Sequence, residues 1–174
     1  MRILSTVAVC LLFALMLTGC NKGPAPVTKP VISEEAKAAL DELREFAFQR
    51  IDPSVVADHM NQVAEKADAL RVAHPDVPAD ETDFILLSVA STNRQYSKVV
   101  ELGDRFVNFH LESEHRPAAV MTLGYAYFSL KEYEKAADCY SFHAGTWPDH
   151  AQRDLALNNA GVNLFFAEIG RAHV

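Results

Sequence analysis

Paired cysteines, glycine-rich loops and alternating apolar-polar runs are all missing from this 174-residue chain, and each absence removes a class of protein. Only three cysteines occur and none stands in Cys-x-x-Cys spacing, so no dithiol redox motif is present. Glycine is scarce, with seven residues and no cluster that could cradle a phosphate. No segment alternates in the manner of a half-buried strand, which argues against a sheet. The net charge of −7 argues against nucleic acid as a partner, since the phosphate backbone calls for a basic face. Spacing yields no Ser/His/Asp constellation, no His-x-x-x-His pair and no isolated acidic pair inside an apolar run. His110, Glu112, Glu114 and His115 are close in sequence but lie at a helix end, where histidine suits the last carbonyls, and the expectation is no metal. His143 and His150 are expected to flank a turn. Neither a catalytic residue, a cofactor nor a small-molecule substrate is evident.

Helical periodicity is what the chain does have. Val120, Leu123, Gly124 and Tyr127 fall at i, i+3, i+4 and i+7, forming one stripe in which Gly124 leaves room for a second helix to lie close. A break at Leu130-Lys131-Glu132 follows. Tyr133, Ala136, Ala137, Tyr140 and Ala144 then give a second stripe, and Pro148 ends it because proline donates no intrahelical hydrogen bond. The register recurs: Tyr96 to Tyr133 and Gly124 to Gly161 are both 37 residues, and Ala90, Tyr127 and Leu164 follow the same step.

With Leu123-Gly124-x-x-Tyr127, Ala136-x-x-x-Tyr140 and Pro148, residues 117–149 resemble a unit of the tetratricopeptide family, whose usual period is ~34. Residues 80–115 and 151–168 match in part and 33–75 weakly. The resemblance implies an all-α fold of antiparallel helix pairs stacked as a right-handed solenoid over 33–168. It also implies a concave groove lined by the first helix of each unit, here Met121, Tyr125 and Phe128, matched in the next unit by Asn158, Val162 and Phe165. Such an apolar, aromatic lining differs from the Lys/Asn carboxylate clamp of some members and suits an amphipathic helix or extended apolar segment of another protein. The same residues read equally well as packing against adjacent helices.

Arg2 precedes the apolar run Val7 to Leu17, too short for a permanent bilayer span and suited to a signal-peptide core. The run closes on Leu17-Thr18-Gly19-Cys20, which resembles the lipobox of bacterial lipoproteins. That resemblance implies removal of residues 1–19, acylation of the Cys20 thiol and anchoring by two or more acyl chains. Asn21, in place of Asp, resembles the pattern exported to the outer membrane. Pro24, Pro26 and Pro30 make 20–32 an extended tether at ~3.1 Å per residue. With Cys10 lost and Cys20 acylated, Cys139 is left as a small packed residue.

Along the remaining chain, Ser33 reads as an N-cap, Asp52-Pro53 as a stop and restart, and Asp80 as the cap of a third helix. The stripes expected to face inward are Leu40, Leu43, Phe46, Ala47 and Ile51; Val56, Met60, Val63, Ala67 and Leu70; and Phe84, Leu87, Ala90 and Ser91. About seven helices result. Ile169-Gly170-Arg171-Ala172-His173-Val174 resembles the translation of ATC-GGA-AGA-GCA-CAC-GTC, the start of a short-read sequencing adapter whose next codon is TGA. The expectation is therefore that 169–174 is not native, that the sequence is cut short by adapter read-through, and that the natural chain continues past about Glu168. Two functions fit. One is a lipid-anchored scaffold on the periplasmic side that docks another envelope protein, with outer-membrane assembly as one such role. The other is N-terminal accessory repeats of an envelope enzyme, thioredoxin-like or hydrolase, whose catalytic part is expected in the missing downstream sequence.

Overall fold

The computed structural model describes residues 31–172, and every described element is helical. In order they are α1 (Glu34–Ala47), a 3-10 turn (Pro53–Val55), α2 (Val56–Ala73), α3 (Ala79–Thr92), α4 (Tyr96–Phe109), α5 (Arg116–Ser129), α6 (Tyr133–Thr146) and α7 (Arg153–Ala172). Each helix packs on the next, and α1 with α3 and α3 with α5 also touch. This is an all-α array of antiparallel pairs. The expected signal peptide, Cys20 and most of the expected tether lie outside the described residues.

The 37-residue step seen in the sequence is carried by whole elements. α3, α5 and α7 begin at 79, 116 and 153, while α4 and α6 begin at 96 and 133. Even the turns repeat. Arg94 (φ 56°) and Lys131 (φ 64°) both sit in the left-handed region. The N–H of the residue after each reaches back five positions, Gln95 to the Ala90 carbonyl and Glu132 to that of Tyr127, both at 2.9 Å. This is the Schellman closure of a helix, which satisfies carbonyls that the last turn would otherwise leave bare.

One helix of each pair is sandwiched. α3 buries Thr82, Ile85, Leu86, Leu87, Val89 and Ala90, and α5 buries Ala119, Val120, Leu123, Gly124, Ala126 and Tyr127, so both are enclosed on more than one side. α4 buries a single stripe of Val99, Leu102, Gly103 and Phe106. α6 does the same with Ala136, Ala137, Tyr140, His143 and Ala144. A Cβ placed on Gly124 would stand 3.0 Å from the Tyr140 ring and 3.2 Å from Cβ of Cys139, so the absent side chain is what lets α6 close on α5. Pro148 is exposed just past the α6 cap, Trp147.

Several local expectations change. Ser33 caps α1 by accepting from the Ala36 N–H at 3.2 Å, as expected. Asp52 accepts from Ser54 at 2.8 Å and caps the 3-10 turn rather than α2 itself. Asp80 is not the cap of α3. The helix begins at Ala79 after Pro78, which leaves Asp80 in the first turn as a counter-charge to the helix dipole. In α2 the fully buried stripe is His59, Val63, Ala67 and Leu70, with Met60 only half-buried. His59 lies against the Phe46 ring, with Nε2 3.1 Å from the Ala47 carbonyl oxygen. His143 sits in the last turn of α6 on its buried face, and with His150 it flanks the turn at 148–149 as expected. α7 runs on through Ala172, so residues 169–172 continue the helix.

Candidate functional site

Aromatic side chains collect along the first helices of the last two pairs. Tyr125 and Phe128 are one turn apart on α5, with ring centroids 6.4 Å apart. Tyr96, at the start of α4, meets Tyr125 edge-on at 5.9 Å. Tyr133, at the start of α6, lies 6.0 Å from Phe128. Phe166 on α7 closes the chain of contacts at 5.3 Å from Tyr133 and 6.4 Å from Phe128, with Phe165 a further 6.1 Å along. The outcome is a continuous belt of rings across α4 to α7.

The belt is accessible. Tyr125 is 50% exposed and Phe165 60% exposed, while Phe128 and Met121 are half-buried against the core. Val162 and Asn158 are exposed on α7. Of the six expected groove residues, Tyr125, Phe128 and Phe165 are joined by ring contacts, though the link to Phe165 runs through Phe166. Tyr96 and Phe166 were not expected to contribute. For Tyr96 the available signal was its match to Tyr133 one period on. The belt stops at α3, where the positions 37 residues before Tyr125 and Phe128 are Ser88 and Ser91.

Beside the belt, Tyr133 and Phe166 also wall an open cleft of about 750 Å³ whose other lining includes Lys131, Glu132, Lys135 and Arg171. Lys135 pairs with Glu132 and lies 5.2 Å from the Tyr127 ring. Charges of both signs rim an apolar floor. Gly170 and Arg171 also line the cleft.

Three titratable groups beside this face have raised pKa values. Burial, with Asp104 and Asp138 adding to it, pushes the Cys139 thiol up to about 12, which leaves no thiolate for nucleophilic work near neutrality. Burial also pushes the Tyr140 hydroxyl up to about 12. Tyr127 donates its hydroxyl hydrogen to Asp104 Oδ2 at 3.1 Å, and its pKa is raised by burial first and by Asp104 second. Away from the belt, Asp83 accepts from Arg71 of α2 and from Arg105 and His110 of α4, at 3.3 Å and 2.8 Å for the latter two. Burial alone would raise its pKa, but the hydrogen bonds from His110 and Arg71 outweigh that and hold it low. This carboxylate ties three helices together. His110 therefore faces Asp83 instead of joining its sequence neighbours.

No family model, curated protein or solved structure matches the chain.

Proposed function

We propose that the chain is a lipid-anchored helical scaffold facing the periplasm, held through acylated Cys20, that docks another envelope protein along its aromatic belt. The ring series from Tyr96 through Tyr125 and Phe128 to Phe165, with Tyr125 and Phe165 exposed and Tyr96 and Phe128 half-buried, is the observation that carries this reading. Aromatic side chains bring large apolar area at low entropy cost and are enriched at the centres of protein interfaces. Supporting the anchor are Leu17-Thr18-Gly19-Cys20 at the close of a short apolar run, followed by a proline-rich tether. Among the described residues no helix is long and apolar enough to cross a membrane. An acyl chain would supply the attachment.

Photo-crosslinking tests the docking face. A benzophenone amino acid placed at Tyr125 in cells should trap a discrete protein adduct, and the same group on the exposed outer face at Asp68 of α2 should not. Adducts of equal yield at both positions, or none at Tyr125, would end the assignment. Labelling with a fatty-acid analogue, compared with Cys20→Ala, tests the anchor separately.

A further inference from the structure

Outside the belt, the most distinctive group of side chains lies where α3 begins and α5 begins. Glu81, in the first turn of α3, meets Glu114 and His115 from the α4–α5 turn, and one ligand atom from each lies within 4.8 Å of the other two. We propose that Glu81, Glu114 and His115 form a site for one zinc-like divalent cation that clips α3 to the α4–α5 turn.

His115 is held ready for the role. Its ring stacks on Phe84 with centroids 4.4 Å apart and planes 5° from parallel. The ring's Nε2 is shut from solvent and makes no hydrogen bond, although it lies 3.2 Å from Glu81 Oε1. Arg44 of α1 donates to the other oxygen, Oε2, at 2.7 Å. That bond turns Oε1 toward the imidazole, in the manner of the outer partners that orient metal-binding carboxylates. Two carboxylates against one guanidinium leave the side-chain charge net negative.

The donor set selects the ion. An imidazole nitrogen with two carboxylate oxygens suits zinc and its first-row neighbours better than calcium or magnesium, which prefer all-oxygen shells. Zinc bonds of about 2.0–2.2 Å would bring the ligand atoms to roughly 3.4 Å from one another. The three ligand atoms would have to draw together by that difference when the ion binds. Three protein ligands leave a fourth position for water.

The full chain, made without a histidine tag and stripped with chelator, is titrated with zinc chloride by calorimetry and melted with and without the ion. The expected result is one equivalent bound, a rise in the melting temperature, and affinity lowered tenfold or more by His115→Ala and by Glu114→Gln, with His150→Ala unchanged. Glu114→Gln changes an exposed side chain, so it remains informative if His115→Ala or Glu81→Gln disturbs folding. Zinc bound as tightly by these variants as by the parent would mean adventitious binding elsewhere and overturn the site. Absence of zinc binding would leave only an ion pair of His115 with Glu81 and overturn it equally.

Discussion

Gly124 and Gly161 occupy the same register position, yet their surroundings differ in a way that one substitution measures. Alanine at Gly124 drives its Cβ into the Tyr140 ring at 3.0 Å and into Cys139, both packed between α5 and α6. Overpacking of this kind costs about 1–3 kcal/mol. At Gly161 nothing lies within 4 Å of the same atom, so alanine adds only its better helix propensity, about 0.5–1 kcal/mol in favour. Urea denaturation should therefore move in opposite directions for Gly124→Ala and Gly161→Ala. A shared direction would mean that helix propensity, not close approach, explains the glycines. His143 gives a second test at this scale. It is fully buried, both ring nitrogens lack hydrogen-bond partners, and its pKa is lowered by burial and then by His150. As pH falls below ~6.5 the unfolded chain takes up a proton that the folded site resists, so stability drops with acid until the buried ring itself titrates. Phe106 holds the matching position in α4, 37 residues earlier, and fills it with an apolar ring. His143→Phe should stabilise the protein by about 1 kcal/mol at neutral pH, through removal of unsatisfied polar atoms. It should also flatten the fall in urea midpoint between pH 7 and 5; an unchanged pH slope would refute the assignment.

At the scale of elements, the α3/α4 and α5/α6 pairs are each closed by a turn whose geometry favours a residue the chain does not use. Arg94 and Lys131 hold positive φ in Schellman closures where glycine is usual. A side chain in the left-handed region costs ~1–2 kcal/mol, partly offset by the extra freedom glycine has when unfolded. Lys131→Gly should raise stability by about 0.5–1 kcal/mol and Lys131→Ala should leave it nearly unchanged. A loss with glycine would show that the Lys131 side chain holds the turn. The same scale shows what the sequence made legible. Period and stripe follow from 3.6 residues per turn, so Leu123, Gly124, Tyr127, Ala136 and Tyr140 were readable as a packed pair, and so was the 37-residue step. Contacts that cross between pairs were not readable. Asp83 with Arg71 of the preceding pair, and Glu81 with His115 at the start of the next, join residues 12 and 34 positions apart through the stacking of one pair on the next, and no local spacing encodes that stacking. The burial of His143 was not readable either, because a histidine does not announce the apolar position that Phe106 fills in α4.

Over the whole molecule, each helix is covered mainly by its neighbours in sequence, so stability is expected to depend on nearest-neighbour interfaces rather than on one central core. The buried residues fall into two clusters, one reaching from Ala36 to Ala126 and one from Leu123 to Ala160, which meet at α5. α7 presents Leu157 (47% exposed), Leu164 (51%) and the open space at Gly161 in the register that α5 uses to receive α6. A helix with the chemistry of α6 should fit there, laying an aromatic ring over Gly161 as Tyr140 lies over Gly124. Grafting residues 130–149 directly after Phe166, the position matching Ser129, places a second α6 in that register. The graft should add helical signal and raise the melting temperature by about 2–4 °C for each kcal/mol that the new interface contributes. Gly161→Leu should abolish that gain in the grafted protein while leaving the parent's fold intact, because the space is open in the parent. Should the grafted segment stay unstructured with an unchanged melting temperature, the register shared by α5 and α7 would be a coincidence of sequence and not a packing rule of this array.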